Sequence, residues 1–156
     1  MNYFGISKSS LVNGEGIRTV LWVSGCNHHC DGCQNPESWD PGYGMPWTTD
    51  DLAKLIKQVN KTYIDGLTLS GGDPMHPLNR FNVCGIAKIV KTSTLKSIWM
   101  YTGYAFEDIK DEPILDYLDV IVDGKYDCTR QPALWRGSDN QRIWRKKDDI
   151  WSVDYD

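Results

Sequence analysis

Four short β-branched or apolar runs, each leading into a glycine-containing loop, set what this chain can become. They are "RTVLWVSG" (18–25), "IDGLTLS" (64–70), "SIWMYTGY" (97–104) and "DVIVDG" (119–124). Between them lie helical patterns. "TTDDLAKLIKQVNK" (48–61) opens with Thr and Asp, as helix N-termini do, and then spaces Leu52, Leu55, Ile56 and Val59 along one face. Val83, Ile86, Ala87 and Val90 repeat that period, and a shorter helical stretch runs through Phe106, Ile109, Ile114 and Leu118. Strands that alternate with helices make βαβ units, a parallel sheet and right-handed crossovers. A closed eight-stranded barrel takes ~250 residues. With 156 residues, this α/β chain is expected to form one domain over 1–156, as a partial (β/α) barrel or an open parallel sheet. Tyr3–Ile6 and Gln141–Arg145 are expected to add an edge strand each. No repeat, linker or low-complexity segment interrupts the pattern.

The order of elements has a chemical consequence. The loop after the first run, "GGDP" after the second, "TGY" after the third and "DGKY" after the fourth all follow C-terminal ends of parallel strands. Those ends share one rim, and that rim is where ligands bind in such folds.

The first of these loops, "SGCNHHCDGCQNP" (24–36), carries Cys26, Cys30 and Cys33. On a helix the three would share one face as an inert buried stripe. Gly25, Asn27, Asp31, Gly32 and Asn35 are weak helix formers, however, and Pro36 disfavours helical dihedrals at Asn35. A loop wrapped round a metal fits better. Three thiolates could hold zinc with a histidine as fourth ligand, or an iron–sulfur cluster. Structural zinc favours four closed ligands in two close pairs. Here Cys84 and Cys128 stand apart, and His28 and His29 would be cramped between the flanking cysteines. A four-iron cluster takes thiolates readily, and three of them leave one iron open for chemistry.

Composition narrows the partners. Lys plus Arg number 17 against 21 Asp plus Glu, a net charge of −4, which argues against nucleic acid. No apolar run is long enough to span a bilayer and no secretory signal opens the chain, so a cytoplasmic protein without membrane contact is expected. Five cysteines, an odd number, then point to metal or redox use rather than a disulfide framework.

"SGGDP" (70–74) reads in two ways. Double glycine with Asp-Pro makes a strand-to-loop turn. Adjacent glycines also let a ligand approach the backbone, and Asp73 beside them accepts from an ammonium group. Cys84 reads as a small core residue, Cys128 as a free thiol in a polar loop, His76 as a turn residue and "RKKDD" (145–149) as a solvated charged stretch.

CxxxCxxC directly after the first strand, with GGDP after the next, resembles the radical S-adenosylmethionine superfamily. "NGEGIRTVLWVSGC" (13–26) with "CQNP" (33–36) resembles the activating enzymes of glycyl-radical enzymes. The short length, "TGY" and "LWRGSDNQR" (134–142) are similar to activators of anaerobic ribonucleoside-triphosphate reductases. One departure stands out: the position before the last cysteine is often aromatic in the superfamily, and here it is Gly32.

The resemblance implies a fold of the radical S-adenosylmethionine type, a 4Fe–4S cluster on Cys26, Cys30 and Cys33, and S-adenosylmethionine as second cofactor. It implies that Gly71, Gly72 and Asp73 hold the methionine amine, and that the backbone of Gly32, Cys33 and Gln34 lies against adenine. Thr102 and Asp123 are implied ribose or carboxylate contacts. The implied reaction forms a 5′-deoxyadenosyl radical that takes a glycine α-hydrogen from the reductase catalytic subunit, with a reduced flavodoxin-like protein as electron donor. An activator of another glycyl-radical enzyme, such as pyruvate formate-lyase, is the neighbouring reading, and a non-catalytic zinc-binding module the distant one. Trp135 and Trp144 flank the tail motif and are expected on a surface that meets the partner.

Overall fold

The computed structural model describes residues 1–154. Its centre is four parallel strands, β2 (Arg18–Val23), β4 (Gly66–Gly71), β5 (Ser97–Tyr101) and β6 (Val120–Asp123). These are the four runs of the sequence, each trimmed to the residues that pair. Antiparallel strands extend both sides. β1 (Asn2–Ser10) pairs with β2, and the short β3 (Met45–Pro46) lies outside β1. On the other side β7 (Arg142–Lys147) pairs with β6, and β8 (Ile150–Asp154) with β7. The result is a mixed α/β fold whose eight-stranded sheet runs β3-β1-β2-β4-β5-β6-β7-β8.

The two strands expected at the edges are therefore inner strands, each covered by one further strand. The second cover had a missed signal. The acids of "RKKDD" are exposed, as a solvated run would be, and they also form the two-residue turn of the β7–β8 hairpin, with Asp148 and Asp149 at φ 51° and 61°. Both central residues of a type I′ turn need positive φ, and Asp tolerates it.

Helix α1 (Thr49–Val59) starts from a reciprocal cap, in which the Thr48 side chain accepts from Asp51 N–H and the Asp51 carboxylate from Thr48 N–H. Helix α2 (Arg80–Thr94) ends where Leu95 turns left-handed at φ 58°. The stretch after β5 breaks into the single turn α3 (Phe106–Ile109) and a 3₁₀ turn, Pro113–Asp116, because Pro113 has no N–H to continue the first. No helix of the described residues is long and apolar enough to cross a membrane.

Alternation along the strands divides the interior. Leu21, Val23, Leu67, Leu69, Ile98, Met100 and Ile121 meet Leu55, Val59, Val83, Ile86, Ala87 and Val90 of the helices. The opposite parity gives a second cluster of Trp99, Val120, Val122 and Ile143, with Tyr101 and Trp135 packed on it. Arg18 enters this second face although it is only 1% exposed. Its guanidinium donates to the Thr68 hydroxyl, the Ser97 hydroxyl and the carbonyls of Glu15, Leu67 and Ser97. It also lies 5.4 Å from the Trp99 ring centroid. Burial pulls its pKa down to about 10. One cation thus ties the N-terminal ends of β2, β4 and β5.

Candidate active site

At the opposite, C-terminal ends of those strands a cavity of about 540 Å³ opens on the face away from the helices. Cys26, Cys30 and Cys33 line it, together with Gln34, Ser70, Gly71, Gly72, Asp73, Thr102 and Gly103. Trp22, Tyr101 and Trp135 supply aromatic wall. Loops distant in sequence converge on this rim, as a parallel sheet requires.

The cysteine loop is anchored at its base. Gly25 N–H donates to Ser38 O at 2.7 Å and Cys26 N–H to Trp39 O at 3.1 Å. Gly25 has φ 106°, and a Cβ there would sit 3.1 Å from His76 Nδ1, so glycine alone fits this bend. His29, at φ 49°, stacks on Trp39 with centroids 4.5 Å apart. Cys26 is buried, while Cys30 and Cys33 are partly exposed. Asn35 N–H donates to Cys33 Sγ at 3.4 Å. Burial pushes the Cys26 and Cys30 thiols up, opposed by backbone N–H groups of His28 and His29 at the first and Tyr126 at the second. Among the described residues no three His, Cys, Asp or Glu side chains converge on a position for one metal ion. A single zinc needs its sulfurs at ~2.3 Å from one point, whereas a four-iron cluster distributes its thiolates over separate irons.

The double glycine packs against protein. Gly71 has φ 120°, and a Cβ there would overlap Val23 backbone; one on Gly72 would lie 2.7 Å from both Gly25 O and Ser38 O. Gly72 N–H donates to Val23 O and Asp73 N–H to Gly25 O, at 2.7 and 2.8 Å. The close approach that adjacent glycines permit is used to seat the end of β4 under the cysteine loop.

Asp73, 1% exposed, is a hub. Its carboxylate accepts from Met75 N–H at 2.8 Å, the Thr102 hydroxyl at 2.9 Å, Gly103 N–H at 2.9 Å and His28 Nε2 at 2.9 Å. Because an ionised carboxylate only accepts, His28 Nε2 carries the proton in this contact. Thr102 lines the cavity, and its hydroxyl is turned to Asp73. Asn79 adds a second tie. Its amide donates to Ser24 O and Asp73 O, both at 2.9 Å, instead of capping α2.

Two of the residues singled out in the sequence lie outside the cavity lining. Asp123 shares the parity of Ile121, so its carboxylate faces the helices, where Phe106 N–H donates to it at 2.6 Å and Arg142 Nε at 3.0 Å. Gly32, at φ 70°, turns towards the chain after β6, where a Cβ would be 2.8 Å from Cβ of Cys128. Cys128 is exposed, yet it rests on the cysteine loop rather than standing apart.

Three further placements were hidden in the sequence. His76 is buried, accepts from Leu78 N–H at 3.2 Å through Nδ1 and reaches Asn27 Oδ1 at 3.2 Å through Nε2. Trp144 stacks on Phe106 at 4.1 Å, on the helix side. Trp135 does the reverse. It meets Trp99 edge-on at 5.4 Å and lines the cavity, while the Tyr101 hydroxyl donates to its carbonyl at 2.7 Å. The tail motif thus supplies cavity wall through Trp135 and Arg136, while Leu134, Asp139 and Asn140 are exposed.

Residues 12–144 match the family model described as a 4Fe-4S single cluster domain. A protein of Enterobacteria phage T4 named anaerobic ribonucleoside-triphosphate reductase-activating protein is 46% identical over 156 residues, covering 99% of this chain and 100% of that protein. This chain belongs to that family. Members of the same name from Pasteurella multocida and Escherichia coli K12 are 42% and 37% identical over 154 and 150 residues. They cover 93% and 92% of this chain, and 98% and 97% of their own lengths. Within this activating-protein family the single-cluster match takes in the cysteine loop, the Asp73 hub and the Trp135 wall, and leaves β8 outside it.

Proposed function

We propose that the protein is a radical S-adenosylmethionine enzyme that installs a glycyl radical on an anaerobic ribonucleoside-triphosphate reductase. What carries the reading is one cavity, lined at once by three thiols of a single loop and by the glycine-rich end of the next parallel strand. The donor set fits a cluster: three sulfurs, each met by a backbone N–H, with no fourth cysteine in the lining. Cys26, Cys30 and Cys33 would hold a 4Fe–4S cluster, and the rim at Ser70–Asp73 would receive the methionine end of S-adenosylmethionine. This pair of cofactors would supply 5′-deoxyadenosyl radical chemistry towards a glycine α-hydrogen, with a reduced flavodoxin-like protein as electron donor.

The chain's own part is orientation and shelter. Gln34 and the backbone beside Cys33 form the side wall next to the cluster loop, where adenine would lie. Trp22, Tyr101 and Trp135 give a low-polarity wall that keeps water from a reactive radical. Asp73 fixes three loops round the rim through its four donors, and with its carboxylate so engaged the methionine ammonium would be held by backbone groups at the end of β4. Asp123 serves the same site from behind, by holding β7 and the start of α3.

Anaerobic reconstitution tests this directly. The reconstituted protein should be brown, contain iron and sulfide, and change its electron paramagnetic resonance spectrum when S-adenosylmethionine is added. With reductant it should release methionine and 5′-deoxyadenosine, and with the reductase it should yield a glycyl-radical doublet. Colourless protein that binds zinc, or a cluster indifferent to S-adenosylmethionine, would overturn the proposal.

A further inference from the structure

The cysteine loop is held in two distinct ways. Its base is fixed by backbone bonds: Ser24 N–H to Asn2 O, Gly25 N–H to Ser38 O and Cys26 N–H to Trp39 O. Its tip reaches the rim through side chains. Asn27 meets His76, and His28 meets Asp73. The second contact is the more demanding. The His28 side chain is 10% exposed and Asp73 1%. The imidazole stands edge-on to Tyr104 at 4.6 Å. It lies so close to Gly103 that a Cβ there would overlap the ring. Residue 103 is glycine, in this arrangement, to make room for His28.

Position in sequence gives the contact its meaning. His28 is the middle residue between Cys26 and Cys30, so fixing its ring fixes the course of the loop between two of the three thiols. Its partner is the carboxylate that also receives Thr102 and Gly103 from the end of β5 and Met75 from beyond β4. A hydrogen bond to a buried carboxylate is among the strong ones, and outer contacts that orient metal ligands alter metal retention ~10–100-fold when removed.

We infer that His28 is a positioning residue: by donating Nε2–H to Asp73 it clasps the tip of the cysteine loop to the rim, so that cluster retention and cofactor binding depend on each other. The inference rests on the proposed function for the identity of the two ligands. The clasp is a single hydrogen bond, and the backbone ties at the base of the loop remain without it, so its loss leaves a folded protein.

Three variants decide the matter. His28→Ala removes bond and ring. His28→Phe keeps an aromatic ring against Tyr104 but removes the donor. His28→Gln replaces the ring by an amide that can still donate. Each is reconstituted anaerobically and compared with the parent in the rate of iron release to a chelator, in the S-adenosylmethionine concentration that half-converts the paramagnetic signal, and in far-ultraviolet circular dichroism. His28→Ala and His28→Phe should fold, release iron about tenfold faster and need about tenfold more cofactor. His28→Gln should recover most of both losses. If His28→Phe matches the parent, the bond to Asp73 is irrelevant and the inference falls. Global unfolding of His28→Ala and His28→Phe would also overturn it, since the residue would then be structural only. A parent that binds a cluster but ignores S-adenosylmethionine refutes the proposed function instead, and the iron-release comparison still decides the clasp.

Discussion

Arg142 grips the buried carboxylate of Asp123 from two nitrogens, Nε at 3.0 Å and Nη2 at 2.5 Å. Asp123 is 0% exposed, and Phe106 N–H closes another side of it. The pair joins the end of β6 to β7 and to the first turn of α3. Arg142→Met would leave a buried carboxylate short of its cation, at a cost of about 3 kcal/mol. Urea unfolding of the cluster-free variant measures it; a loss below about 1 kcal/mol would mean that Phe106 N–H and solvent suffice.

Arg142 also reaches Glu107, through Nη1 at 3.0 Å and Nη2 at 2.7 Å. That contact holds the Glu107 carboxyl down at about 2, below its ordinary 4.5. A carboxyl lowered in the folded state adds stability above its unfolded value and loses it as pH falls through the folded one. The melting temperature of Glu107→Gln should therefore lie below the parent's at pH 6. The gap should close between pH 4.5 and about 2. A gap unchanged by acid would show that charge plays no part.

Cys26→Ala, Cys30→Ala and Cys33→Ala should each lower reconstituted iron from ~4 per chain to a small fraction of that. Cys84→Ser should leave the cluster in place, since Cys84 packs at the edge of the helix-side core. Cys128→Ser should do the same despite touching the cysteine loop, because serine fills nearly the same space. Loss of iron in the Cys128 variant alone would place that thiol among the ligands.

Gly72→Val separates two readings of the double glycine. Were the glycine needed only by a ligand, the variant would lose cofactor binding and keep its cluster. A Cβ on Gly72 meets Gly25 O and Ser38 O at 2.7 Å, however, and both belong to the base of the cysteine loop. The expected result is loss of cluster and cofactor together, with iron per chain at least halved. Full iron content in the variant would show that the loop yields without consequence.

Trp135→Ala removes a wall of the cavity rather than part of an outer surface. Uncoupled S-adenosylmethionine cleavage and glycyl-radical yield should fall by the same factor, about tenfold for the loss of one large aromatic contact. Cleavage preserved with radical yield lost would instead assign Trp135 to recognition of the reductase.

How much of this was legible beforehand follows from range along the chain. The four central strands, α1 and α2 are local patterns of apolar residues, and the sequence displays them. The convergence of the cysteine loop, GGDP and TGY also follows from parallel topology alone. The bounds of "SIWMYTGY" did not, because the last strand residue is Tyr101 and Thr102 already turns back to Asp73.

What the sequence determined by itself was therefore the kind of fold, the three thiols and the rim on which they sit. Direction and partnership were decided by the tertiary structure. "VIVD" (120–123) is apolar on both faces, as central parallel strands are, so no alternation reveals that Asp123 turns to the helices. Trp135 and Trp144 look alike in a tail rich in arginine, yet one walls the cavity and the other stacks on Phe106. His28 reads as a cramped neighbour of two ligands until the ends of β4 and β5 bring Asp73 and Gly103 to it. In each case the deciding contact joins residues far apart in the chain, and such a contact has no period or spacing by which a sequence could announce it.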